Sequence, residues 1–116
     1  YRDYLQAPLQ PLADHLDVRT YEVFETDPVK YAAYQRALEA FFAEATRREG
    51  TPSTRVFRVA VVGAGRGPLV SRCLAAADAT GASVRVVAVE KNPWAARTLR
   101  ALANDDDDDD NAWRGR

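Results

Sequence analysis

Gly63, Gly65 and Gly67 alternate through the run V-A-V-V-G-A-G-R-G-P-L, Val59 to Leu69, and Glu90 follows a second apolar run within V-R-V-V-A-V-E-K-N-P, Val84 to Pro93. Glycine has no Cβ, so such a turn lets backbone N–H groups approach a ligand closely. A carboxylate at the end of the next strand can accept hydrogen bonds from both ribose hydroxyls, a charge-assisted bidentate grip. Strand, glycine turn, helix, strand and acid in this order describe one βαβ nucleotide-binding unit. The chemistry they point to is recognition of an adenosine-containing small molecule.

The spacing narrows the ligand. A dinucleotide fingerprint, G-x-G-x-x-G, needs its third glycine at position 68, which is Pro68 here. A nicotinamide or flavin site is therefore disfavoured. The G-x-G-x-G spacing fits Rossmann-like methyltransferases, in which the turn passes beneath the amino-acid end of S-adenosylmethionine. Arg66, inside the turn, has three readings: a partner for the ligand carboxylate, a partner for Glu90, or a solvated loop cation. A second cluster, Tyr21, Phe24, Lys30 and Tyr31, gathers at a helix start. A helix N-terminus favours anions, Lys30 offers a partner for an amino-acid carboxylate, and the aromatic rings offer a cover and a cation site. The competing reading of those aromatics is as core or staple residues. His15 reads as a surface or cap histidine, Cys73 as a core thiol, and Lys91 and Asn92 as turn and N-cap residues ahead of Pro93.

These residues need elements to hold them. Asp27 followed by Pro28 is a helix start, an N-cap acceptor and then a residue whose missing N–H is not needed there. The helix is expected from Pro28 to about Arg48, with Val29, Ala33, Ala37 and Phe41 recurring every four residues and Leu38, Phe42 and Ala45 widening the stripe. Gly50, Pro52 and Ser53 break it. Val56 to Val62 is expected as a strand, apolar except for Arg58, of the kind buried on both faces of a parallel sheet. A helix from about Pro68 to Asp78, a strand from Val84 to Val89 and a helix from Pro93 to Ala103 complete the unit, with a right-handed crossover. Residues 1–27 are expected as an N-terminal arm, residues 28–103 as the cofactor-binding half of a Rossmann-like domain, and residues 104–116 as an acidic low-complexity tail in which Trp113 is the one anchor.

Composition sets outer bounds. The 116 residues suit one small domain or part of a larger one, and an apolar fraction of 47% is ample for a core. The net charge of −1 conceals six consecutive acids, Asp105 to Asp110, in a run that repels itself and has no fixed geometry for a metal. A single cysteine excludes an intrachain disulfide and a thiolate metal cluster, and fits a reducing compartment. No signal peptide and no apolar run near 18 residues is evident, so no membrane span is expected. The sequence contains no methionine and reads as an excerpt of a longer polypeptide.

Four blocks carry a more specific resemblance: Y-R-D-Y-L-Q-A-P-L-Q-P-L at Tyr1 to Leu12, T-Y-E-V-F-E-T-D-P-V-K-Y at Thr20 to Tyr31, G-A-G-R-G-P-L-V at Gly63 to Val70, and V-E-K-N-P at Val89 to Pro93. In order and spacing, over residues 1 to about 103, they resemble the protein arginine methyltransferase 5 family, type II enzymes that form symmetric dimethylarginine. The resemblance implies an α/β, Rossmann-like S-adenosylmethionine-dependent methyltransferase fold, truncated here after the first βαβ unit. It implies that Tyr21 and Tyr31 contact S-adenosylmethionine, that Lys30 holds its carboxylate, that Gly63 to Gly67, with Arg66 among them, pass beneath its amino-acid moiety, and that Glu90 binds the ribose. Phe24 matches the active-site phenylalanine that shapes the pocket for symmetric transfer. Histone and RNA-processing protein substrates, cytoplasmic and nuclear location, a WD-repeat partner and a homo-oligomer of the full-length protein follow from the same resemblance, with no direct nucleic-acid or membrane contact. The catalytic glutamate pair of the family has no counterpart before the sequence stops at Arg116, so no turnover is expected from this chain alone. A non-catalytic S-adenosylmethionine-binding or scaffold module is the alternative, and an NAD-dependent oxidoreductase a weaker one.

Overall fold

A computed structural model describes residues 25–49, 54–104 and 113. Five elements follow in order: helix α1 (Pro28–Glu49), strand β1 (Val56–Val62), helix α2 (Pro68–Thr80), strand β2 (Ser83–Val89) and helix α3 (Pro93–Ala103). β1 and β2 pair in parallel, with Val56 opposite Ser83 and Val62 opposite Val89. The expected boundaries hold to within two residues. The arm expected at 1–27 and the tail expected at 104–116 lie almost wholly outside the described residues, and with them Tyr21, Phe24, His15 and the aspartate run.

Local chemistry accounts for the ends of the helices. Asp27 Oδ1 accepts the Lys30 backbone N–H at 3.0 Å ahead of Pro28, as the Asp-Pro pair requires. α2 starts at Pro68 directly after Gly67, and Gly81 closes it in the left-handed conformation, φ 71°. α3 is capped by Asn92, whose Oδ1 accepts the Trp94 N–H at 3.1 Å.

The parallel register puts Phe57, Val59 and Val61 of β1 on one sheet face with Val84, Val86 and Ala88 of β2. Phe57, Val61 and Val84 are buried there against Phe42 of α1 and Val70, Cys73, Leu74, Ala76 and Ala77 of α2, joined by Leu99 of α3. Cys73 is the core thiol that its place on α2 predicts. The opposite face carries Val56, Arg58, Ala60 and Val62 beside Ser83, Arg85, Val87 and Val89, and it is open: Val62 is 79% exposed and Val87 61%. The expectation that the strands are buried on both faces is thus corrected, because the helices of the described chain cover one face.

A second correction concerns α1. The four-residue series Val29, Ala33, Ala37 and Phe41 faces outward, with Phe41 58% exposed, whereas Phe42 is fully buried. The stripe that packs is Tyr31, Gln35, Leu38, Phe42 and Ala45, which alternates steps of three and four and so follows the 3.6-residue turn. A strict four-residue step drifts around the helix. The rings of Phe42 and Phe57 meet at a 5.1 Å centroid distance, and Phe41 adds edge contacts to both from the side.

Trp113, in the stretch expected as a tail, packs back on α2. Its indole N–H donates to Ser71 Oγ at 3.1 Å, and its ring closes a hollow of about 220 Å³ lined by Val70, Val86, Ala88 and Leu99.

Candidate functional site

The glycine turn is held to the end of β2 from below. Gly63 N–H and Ala64 N–H both donate to the Val89 carbonyl, at 2.8 and 3.0 Å, and Gly67 N–H donates back to Ala64 at 3.0 Å. The turn demands φ of 71° at Gly63, 59° at Gly65 and 97° at Gly67, the left-handed region that side chains other than glycine adopt at a cost. A Cβ at Gly63 would meet nothing within 4 Å, so that glycine faces open space. A Cβ at Gly67 would strike the Trp113 ring and come within 3.2 Å of Leu99, so that glycine is needed for packing as well.

Glu90 sits one residue past β2, half-buried, and reaches across to the turn. Its Oε2 accepts Gly65 N–H at 2.7 Å, and its Oε1 accepts Asn92 N–H at 2.9 Å. The two features that the sequence joins only by order, glycine turn and strand-end acid, are therefore in direct contact. Asn92 belongs to the same assembly: its side chain is buried, 1% exposed, while its backbone positions Glu90 and its amide opens α3.

Arg66 forks onto Glu25. Its Nε donates to Oε1 at 3.0 Å and its Nη2 to Oε2 at 2.6 Å, a planar bidentate pair between residues 41 apart in sequence. None of the three sequence readings of Arg66 includes this partner. Glu25 lies in the quoted block T-Y-E-V-F-E-T-D-P but went unassigned; a pairing over that distance leaves no local spacing to read. The ion pair brings the start of α1 onto the glycine turn. Arg72 of α2 donating to Gln35 of α1 at 2.9 Å extends the seam, and Phe42 on Phe57 completes it near the start of β1. α1 and α2 therefore run side by side in the same direction. All three helix N-termini point to the edge of the sheet where the strands end, which is where open α/β sheets bind ligands and where helix dipoles favour negative groups.

Lys30 and Tyr31 stand in the first turn of α1. The Lys30 ammonium lies 4.6 Å from the centre of the Tyr31 ring, a cation–π contact that sets both side chains beside each other at this end of the molecule. Glu25, Arg66, Gly67, Pro68, Ser71 and Thr98 line a hollow of about 310 Å³ next to the turn. Pro68, where a dinucleotide site would have glycine, is the first residue of α2. Among the assigned residues, Lys30, Tyr31, Gly63, Gly65, Arg66, Gly67 and Glu90 are described by the structure; Tyr21 and Phe24 are outside it. The assembly sets an acid against a glycine turn whose first glycine faces open space, with Lys30 and Tyr31 in the first turn of α1.

Comparison with known proteins gives a consistent family. The family model described as PRMT5 arginine-N-methyltransferase matches residues 1–113. The chain is 51% identical over 102 residues to a protein arginine N-methyltransferase 5 from Oryza sativa subsp. indica, covering 88% of this chain and 16% of the relative. It is 50% identical over 99 residues to the Xenopus laevis protein of the same name, covering 85% of this chain and 16% of that one. It is 54% identical over 93 residues to protein arginine N-methyltransferase skb1 of Schizosaccharomyces pombe, covering 80% and 14% respectively. The chain thus spans about one sixth of the length of the curated relatives it matches.

Proposed function

The chain belongs to the PRMT5 arginine-N-methyltransferase family, and from that premise we propose that it forms the cofactor-binding half of a Rossmann-like S-adenosylmethionine-dependent protein arginine methyltransferase. The observation that carries the proposal is the 2.7 Å hydrogen bond from Gly65 N–H to Glu90, which unites the glycine turn with the acid at the end of the second strand. The residues fit the group: the turn is glycine where φ is positive, the space beyond Gly63 is open, and Glu90 is half-buried rather than sealed.

In this reading Glu90 accepts the ribose hydroxyls while keeping Gly65 N–H in place. Gly63 to Gly67 form the floor under the amino-acid end. Lys30 holds the ligand carboxylate, aided by the helix N-termini that converge there. Tyr31 and, outside the described residues, Tyr21 and Phe24 cover the ligand, with Phe24 shaping the pocket for a symmetric product. When bound, the cofactor supplies an electrophilic methyl group on a sulfonium. The acceptor is an arginine guanidinium of a protein substrate, histone and RNA-processing proteins included. Orienting that planar cation calls for a carboxylate pair, which the assigned residues do not include. Turnover therefore depends on residues outside this set, and the chain by itself is expected to bind rather than to catalyse. Cytoplasmic and nuclear location, a WD-repeat partner and homo-oligomeric assembly of the full-length protein complete the proposal.

Titration calorimetry tests it. The purified chain is expected to bind S-adenosylmethionine or its demethylated product and to lose that binding in Glu90→Ala. Binding of NAD in their place overturns the assignment.

A further inference from the structure

We propose that Trp113 and Ser71 are positioning residues for the glycine turn: the indole ring sets the seat of Gly67 from behind, and docking of the ring thereby tunes affinity for the nucleoside cofactor. The inference rests on the cofactor reading above and gives a role to two residues that the reading does not use.

The ring and the turn touch where the backbone has no slack. Gly67 is buried, and a Cβ there would strike Cη2 of Trp113 and come within 2.7 Å of its Cζ2 and 3.2 Å of Leu99. The indole thus occupies the space in which any side chain at position 67 would stand, and it blocks the route by which Gly67 could fall back toward α3. Ser71 binds both partners of that contact. Its backbone N–H donates to the Gly67 carbonyl at 3.0 Å, and its Oγ accepts the indole N–H at 3.1 Å. Trp113, Ser71 and Gly67 therefore form a closed circuit at the first turn of α2. From Gly67 the restraint passes into the site. Gly67 N–H donates to the Ala64 carbonyl at 3.0 Å, Ala64 N–H donates to the Val89 carbonyl at 3.0 Å, and Gly65 N–H, between them, donates to Glu90 at 2.7 Å. Two acceptors at the end of β2 thus hold the turn on one side, and the ring holds it on the other. Three glycines at alternate positions give this backbone wide freedom, so a single binding geometry depends on such outside restraints.

The test measures affinity on folded protein. S-adenosylhomocysteine is titrated by calorimetry into the full chain and its variants, at a temperature where circular dichroism shows each to be folded. A turn that holds the binding geometry between a tenth and a half of the time weakens apparent affinity by about tenfold to twofold. Trp113→Ala is expected near the upper end of that range and Ser71→Ala near the lower, with Ser71→Thr restoring wild-type affinity. Phe41→Ala, which loses packing away from the turn, is expected to leave affinity unchanged. Ser71 is exposed, so Ser71→Ala decides the matter if Trp113→Ala does not fold. Linkage requires the converse effect. Trp94→Phe leaves Trp113 as the sole tryptophan, and in Trp94→Phe/Ser71→Ala the ligand is expected to shift its emission to the blue as the ring docks again. Losses of affinity no larger than that of Phe41→Ala, or an emission that saturating ligand does not move, overturn the inference and leave Trp113 a packing residue. A folded wild-type chain that binds neither S-adenosylmethionine nor S-adenosylhomocysteine overturns the cofactor reading, and this inference with it.

Discussion

Replacing Glu90 by glutamine preserves the shape of the side chain and removes one acceptor. In the native chain the two carboxylate oxygens serve two different backbone donors, Gly65 N–H at 2.7 Å and Asn92 N–H at 2.9 Å. A glutamine amide can turn its one carbonyl oxygen to only one of them, so its NH₂ group faces the other donor. Hydrogen bonds to a charged acceptor contribute about 1.5–3 kcal/mol, and a buried donor left unpaired costs about 1–3 kcal/mol. Gly65 is buried but Glu90 is half-buried, so water reaches part of the site and the lower half of that range applies, about 1.5–2 kcal/mol. For a domain of this size each kcal/mol moves the midpoint by about 4–8 °C, which gives an expected fall in Tm of about 6–16 °C. Ligand-free thermal melts followed by circular dichroism measure it, with Glu90→Asp as the variant that keeps the charge. A Glu90→Gln midpoint within about 2 °C of wild type would refute the reasoning, since the acid and the turn would then not be one mechanical unit.

Other perturbations test other parts of the structure. Phe42→Ala is expected to cost about 3–5 kcal/mol, as fully buried phenylalanines do, whereas Phe41→Ala next to it is expected to cost about 1–1.5 kcal/mol; urea titration distinguishes them, and equal costs would reinstate the outward stripe of α1. Gly67→Ala forces alanine to φ 97° and into the Trp113 ring, so a loss of about 2 kcal/mol or more should come with red-shifted tryptophan fluorescence, while Gly63→Ala meets open space and loses only the backbone term of about 1–2 kcal/mol. Burial pushes the Cys73 thiol above its ordinary value of 9.0. The folded state favours the neutral thiol, so this contribution is complete below pH 9 and is lost as pH rises through the raised value; the stability advantage over Cys73→Ala should hold at neutral pH and shrink in alkaline melts. Rapid labelling of the native chain by a thiol reagent at neutral pH would contradict that burial.

The elements were legible because their signals are local. Asp27-Pro28, Gly67-Pro68 and Asn92-Pro93 each combine a residue that suits a helix start with proline at the first helical position, and all three helices begin there. The two valine-rich runs could hardly be anything but strands. The face of α1 was less legible because Phe41 and Phe42 are neighbours and either can head a plausible apolar series. What selects Phe42 is Phe57, fifteen residues on, which the periodicity of α1 alone cannot see. Burial of the strands on both faces failed for a related reason: apolar residues on Val62, Val87 and Val89 record a face suited to being covered, not the presence of a cover.

The site divides in the same way. Glycine spacing and the strand-end acid were visible because βαβ geometry fixes where the first turn and the second strand end, so that Gly65 and Glu90 must be neighbours. Glu25 was invisible because its partner depends on how α1 lies against α2, which is settled by packing at Gln35, Leu38 and Phe42. Gly65 and Arg66 are adjacent in the chain, yet one is held by an acid from the end of β2 and the other by an acid from just before α1. A displacement of α1 therefore shifts Arg66, and through the Gly65 Cα it bears on the neighbouring peptide whose N–H Glu90 holds.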